Sequence, residues 1–243
     1  MSNPSIEKSE TLPVPLSGQA IAPAWHTAVV LLLLLGVSAE SMHMRAGHEF
    51  HRVTGYAIAM FSQWLIVAFI CLGQRWGGAS LRTLAGSCAL GWRAILRDLG
   101  LAIAYLVAAN IVLGVLGSLL ARLGHPSQGE ALQNLLPRTG LEIVVFLLLA
   151  LTAGICEETI FRGYLQRQFK AWSRNGAVGI VAQGVVFGVC HAYQGSTMII
   201  IISVYGVLFG LLAAWRKSLR PGMIAHFLQD GVGGLLLAAR VLR

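Results

Sequence analysis

Charge is scarce in this 243-residue chain. Only 12% of its residues are Asp, Glu, Lys or Arg, 56% are hydrophobic, and the mean hydropathy is +0.71. A soluble domain carries about 25% charged residues, so that class is excluded. Acid is scarcer still: 10 Asp and Glu stand against 18 Lys and Arg, a formal net charge of +8. No basic face with interleaved aromatics accompanies that excess, so nucleic-acid binding is excluded and basic loops facing anionic lipid account for it. Cysteine is limited to Cys71, Cys88, Cys156 and Cys190, with no C-x-x-C pair, which excludes a disulfide framework and a zinc knuckle. Cys156 and Cys190 directly precede Glu157 and His191. They read as small buried side chains rather than thiol nucleophiles. There is no repeat of fixed period and no low-complexity tract.

What is present is a series of long apolar runs. Residues 1–21 form a polar tail spotted with Pro4, Pro13 and Pro15. It has one base, Lys8, against Glu7 and Glu10, a poor signal-peptide opening. Val37-Ser38-Ala39 imitates a cleavage site, but the first run reads as a retained helix. Residues 22–243 then read as a single transmembrane domain. Candidate membrane helices are Ala22–Ser38, Val53–Gly73, Leu99–Leu120, Leu141–Cys156 and onward, Ala177–His191, Thr197–Ala214 and Met223–Leu242. A span needs about 20 apolar residues, so the shorter candidates must tilt, extend or cross incompletely. The stretch around Cys88 suits an interfacial helix.

Basic residues orient these helices. With the N-terminus inside, the inner segments hold Lys8; Arg75, Arg82, Arg93 and Arg97; Arg162, Arg167, Lys170 and Arg174; and Arg216, Lys217 and Arg220, twelve in all. The outer segments hold six: Arg45, Arg52, Arg122, Arg138, Arg240 and Arg243. The excess lies inside, as the positive-inside rule requires. Gly184-x-x-x-Gly188 and Gly206-x-x-x-Gly210 are small-residue faces that permit close helix contact, within the chain or between copies of a homo-oligomer.

Three polar groups interrupt the apolar runs. Glu157-Glu158-Thr159-Ile160-Phe161-Arg162 places two carboxylates and a guanidinium on one helix. Ionisable residues near a bilayer core are expensive and usually carry function. Glu158 and Arg162 are four apart and share a face, acid N-terminal to base, the favoured order. Glu157 is rotated about 100° away. Arg162 can therefore hold Glu158 charged while Glu157 is left available, and a partly desolvated free carboxylate suits a general base. Phe187 and His191 are also four apart, so the ring can fix the imidazole. Residues 157 and 191 are equidistant from Arg174, within the turn Ser173-Arg174-Asn175-Gly176. An antiparallel hairpin there sets both roughly 25 Å from the turn, at one level. His226 and Asp230 form a third i,i+4 pair, from which a histidine can donate to a developing oxyanion. Simple spanning, however, leaves His226 at a different depth from His191. Each pattern also has a structural reading: an interfacial salt bridge, a hydrogen-bonded core histidine, a polar helix start.

The other histidines point elsewhere. His43, His48 and His51 with Glu49 make a hydrated outer loop, H-E-x-H rather than the zinc-binding H-E-x-x-H; His26 and His125 are isolated. No cofactor is expected. Zinc held by His191, His226 and a glutamate is the alternative, since two imidazoles and a carboxylate make a catalytic zinc set.

Together EExxxR, FxxxH and the final HxxxD resemble the CAAX protease and bacteriocin-processing (CPBP, or ABI) family of intramembrane proteases, over about residues 140–235. The resemblance implies an all-α membrane protein of about 7–8 transmembrane helices around a polar cavity open to the cytoplasm. It implies glutamate-dependent peptide hydrolysis without metal. Glu157 and His191 would activate water, His226 and Asp230 would form the oxyanion site, and Glu158 and Arg162 would support them. Best-known relatives carry Asn where this chain has Asp230, and an ionised Asp cannot donate to an oxyanion. A peptide or membrane-protein substrate follows, within a multi-pass protein of a prokaryotic inner membrane, since short loops look prokaryotic. A non-catalytic immunity or scaffold protein that keeps the fold is the alternative function. A transporter would call for broken helices in corresponding halves, and no inverted symmetry is present.

Overall fold

The computed structural model describes residues 20–46, 51–77, 91–126, 133 and 135–241. The polar tail (residues 1–19), the stretch around Cys88, and His48 with Glu49 lie outside them. Among the described residues all regular structure is helical. In order come α1 (Ala24–Ala46), α2 (Arg52–Gly77), α3 (Trp92–Arg122) and α4 (Gly140–Glu157). A π-helical segment, Glu158–Leu165, continues α4 without a break into α5 (Gln166–Ser173). Then come α6 (Gly176–Cys190), a 3-10 turn (Ala192–Gln194) and α7 (Ser196–Arg216). The last run is α8 (Arg220–Phe227), a second π segment (Leu228–Gly233) and α9 (Gly234–Val241).

Among the described residues six stretches are long and apolar enough to cross a membrane: Ala24–His43, Arg52–Gln74, Trp92–Arg122, Gly140–Ser173, Ser196–Arg216 and Arg220–Arg240. Seven were expected from the sequence. The difference is α6, whose 15 residues rise only about 22 Å against a hydrocarbon core of about 30 Å. It stops at Cys190, one residue short of the expected end, because His191 (φ −102°, ψ 15°) leaves helical geometry. At its other end the Ser173–Gly176 turn is as expected. Arg174 closes α5 in the left-handed region (φ 55°), and the Asn175 side chain caps α6 by accepting from Ala177 N at 2.8 Å.

The distribution of polarity is that of a membrane protein: apolar side chains outside, hydrogen-bonded polar ones within. Leu32 and Phe61 are 67% and 70% exposed. The main core packs Val30, Ile66, Ile70, Ile160, Phe161, Tyr164 and Phe187. Polar groups among them are tied to backbone or to one another. Gln168 accepts from Ile21 N (2.8 Å) and donates to Ala22 O (2.6 Å). Gln183 donates to Gly206 O (2.8 Å) and Gln166 to Gly210 O (3.1 Å). His26, isolated in sequence, bonds the Tyr164 hydroxyl (2.8 Å) and Phe69 O (3.0 Å), so it is a core histidine.

These contacts give each helix a direction. Gln168 places the start of α1 beside α5, and His26 places it beside the second half of α2. The buried Asp98 near the start of α3 receives Arg220 at the start of α8, with Arg216 at the end of α7 4.0 Å away. One end of the bundle therefore gathers the starts of α1, α3, α6 and α8 and the ends of α2, α5 and α7. The two glycine faces meet within the chain. A Cβ on Gly206 would lie 2.8 Å from Gly184 Cα, so α6 and α7 touch backbone to backbone. Gly206→Val should therefore destabilise the fold by about 1–3 kcal/mol, the usual cost of overpacking. A lowered unfolding midpoint in detergent is the readout. Gly36→Val, with nothing within 4 Å, should leave that midpoint unchanged.

Candidate active site

The site is assembled from α2, α4 with its π segment, the end of α6, and α8 with its π segment. At its base Arg162 and Glu158 pair at 3.1 Å, both fully buried side chains. The guanidinium also bonds Gly206 O (3.4 Å) and lies over the rings of Phe187 (4.4 Å) and Phe209 (4.8 Å). An Arg so placed is held by charge, hydrogen bond and ring faces at once. Glu158 in turn meets His226 Nδ1 at 3.1 Å. The carboxylate at 158 is thus engaged on both sides, as the i,i+4 spacing led one to expect.

Glu157 points the other way, to a cavity. Gln63 of α2 donates to its Oε1 at 3.2 Å. Its Oε2 has no hydrogen-bond partner among the described residues and faces two imidazoles, His191 Nε2 at 4.0 Å and His226 Nε2 at 3.6 Å. His191 is oriented by its other nitrogen. Nδ1 lies 2.7 Å from Phe187 O, an acceptor, so Nδ1 carries the proton and neutral Nε2 presents a lone pair. The Phe187 ring packs on the imidazole at 4.6 Å. Asp230, on the second π segment, brings Oδ2 to 3.4 Å from His226 Nε2 and is 43% exposed.

All seven residues singled out in the sequence therefore meet: Glu157, Glu158, Arg162, Phe187, His191, His226 and Asp230. The difference in depth between His191 and His226 is resolved by the crossing of α8 on α4. A Cβ on Gly154 would sit 2.8 Å from Met223 O and 3.2 Å from Phe227 N, so only a glycine lets the helices approach this closely. That approach carries His226 down to both glutamates. Both π segments fall on polar residues of the site, the usual place for such turns.

A cavity of about 550 Å³ reaches from this group. Glu157, His191, His226 and Asp230 line it, with Gln63, Tyr205 and many apolar side chains. Three contributors escaped the motif reading. Gln63 is a polar residue in the apolar run of α2, a signal open to view. Phe209 packs against His226 (5.4 Å) and Tyr205 (4.6 Å), and the Tyr205 hydroxyl is buried without a hydrogen-bond partner among the described residues. Cys156 and Cys190 are buried free thiols beside the site.

Residues 139–232 match the family model described as type II CAAX prenyl endopeptidase Rce1-like. The CAAX protease resemblance is thus shown over the segment that holds every residue of the site except Gln63. No curated protein and no solved structure matches the chain.

Breaking the base of the site should be costly. Arg162→Met leaves Glu158 a buried carboxylate without its cation, a loss of about 3–5 kcal/mol. The double variant Arg162→Met/Glu158→Gln should recover most of it. Unfolding of the purified protein in detergent compares the two.

Proposed function

We propose that this protein is an intramembrane endopeptidase that hydrolyses a peptide bond with water activated by Glu157 and His191. The observation that carries the reading is the convergence of Glu157 Oε2 with the Nε2 atoms of His191 and His226, at 4.0 and 3.6 Å, on the wall of a cavity inside an apolar bundle. The family of residues 139–232 supports peptidase chemistry.

The geometry supports the following steps. Glu157 Oε2 and His191 Nε2 are both acceptors, and a water between them gives each a hydrogen bond while turning an oxygen lone pair outward. That lone pair attacks the scissile carbonyl as Glu157 takes the proton, and Glu157 then returns it to the departing amine. Gln63, on Glu157 Oε1, leaves Oε2 as the working oxygen. Both nitrogens of His226 face carboxylates, Glu158 at 3.1 Å and Asp230 at 3.4 Å, so both serve as donors. The Nε2 proton, accepted by Asp230 before the reaction, then turns to the oxyanion, while Glu158 keeps the ring oriented through Nδ1. This takes up the departure from Asn without a second donor. A polar cavity bounded by seven or more helices, in a prokaryotic inner membrane, belongs to the same reading, as does a peptide or membrane-protein substrate.

Proteomics of the native host, wild type against Glu157→Ala, provides the test. A protein terminus that depends on Glu157 identifies the substrate; its absence under every growth condition favours a non-catalytic scaffold. On that substrate Glu157→Gln should lower cleavage by about 10²–10⁴. His226→Ala should lower it by about 10²–10³. Treatment with 1,10-phenanthroline should leave cleavage intact; loss restored by zinc would instead make the two imidazoles and Glu157 metal ligands.

A further inference from the structure

The two ends of the bundle differ in charge, and the cavity reaches only one of them. From Glu157 and His226 it runs to Ser41 near the end of α1, Gly55 near the start of α2, Leu135 before α4 and Leu237 in α9. All four lie at the end opposite the Asp98–Arg220 pair. Among the described side chains, with Arg162 buried in the site, the cavity therefore leads away from the end with eight Lys and Arg and toward the end with four.

Aromatic residues mark the basic end independently. Trp25, Trp92, Trp172 and Trp215 are all exposed there, and no Trp stands near the opposite end. Arg93 lies over Trp92 (5.4 Å) and Arg216 over Trp215 (5.5 Å). Indole rings with guanidinium partners sit at headgroup depth, and a basic excess in short loops faces the cytoplasm.

We infer that the cavity opens on the non-cytoplasmic side of the membrane, and that the site receives a translocated polypeptide segment rather than the tail of a cytoplasmic protein. This reverses the cytoplasmic opening that the family resemblance implied. The polypeptide ligand rests on the peptidase reading, and the direction of opening does not. Among the described residues the lining supplies carboxylates and imidazoles and contains no Lys or Arg. A chain passing through therefore meets two carboxylates and no Lys or Arg that could pair a terminal carboxylate, which suits a neutral or basic internal segment better.

The test uses the full chain in spheroplasts, single cysteine substitutions and a membrane-impermeant maleimide, with the unsubstituted protein as blank. Arg138→Cys and Ser41→Cys should label from outside, and Arg174→Cys only after lysis, each at least about tenfold above the blank. Leu123→Cys and Lys170→Cys repeat the two ends should a first variant fail to accumulate. Labelling of Arg174→Cys from outside with Arg138→Cys protected would overturn the orientation. Labelling of Arg138→Cys without Ser41→Cys would overturn the opening. Glu157-dependent cleavage surviving either result would leave the peptidase reading in place, so the two claims fail separately.

Discussion

The buried pair of Glu158 and Arg162 is the interaction on which the rest of the site depends. Neither charge could stay in this interior alone, since desolvation of an ion costs several kcal/mol. Together they fix four elements. Arg162 reaches α7 through Gly206 O and is clasped by Phe187 and Phe209, and Glu158 holds His226 of α8. The pair thus works as a junction where the π segment after α4, α6, α7 and α8 meet. It also divides the labour of two adjacent acids: one is consumed in holding the structure, and its neighbour remains free to face the cavity.

The order of side chains around that junction is economical. Phe187 touches His191 through its ring, orients it through its carbonyl, and covers Arg162 with its face. His226 likewise spans two environments, with Nδ1 on the structural acid and Nε2 toward the cavity. Each such residue couples stability to geometry, so the site cannot loosen without the bundle loosening too.

Much of this was legible in the sequence because the signals are local. EExxxR, FxxxH and HxxxD are each i,i+4 pairs, and a pair on one helix turn needs no tertiary knowledge to be seen as neighbours. The hairpin about Arg174 was legible for the same reason, from equal distances to one turn. What was not legible depends on how helices cross. Gln63 comes from α2, ninety-four residues away in the chain, and only packing brings it to Glu157. The meeting of His226 with both glutamates hangs on a backbone approach at Gly154, which periodicity does not encode. The short reach of α6 was hidden as well, because an apolar run shows no mark where an imidazole must leave the helix.

The π segment after Glu157 carries a consequence for the whole α4–α5 rod. A turn closed from i to i+5 takes in one residue more than an ordinary turn. Side chains below it are therefore rotated out of phase with those above. Upstream, the rod shows Ala153 and Glu157 to the cavity; downstream, it shows Tyr164 and Gln168 to α1. One continuous helix thereby addresses a wet chamber and a dry seam on different azimuths, with the change of heading placed at the residues that bear charge.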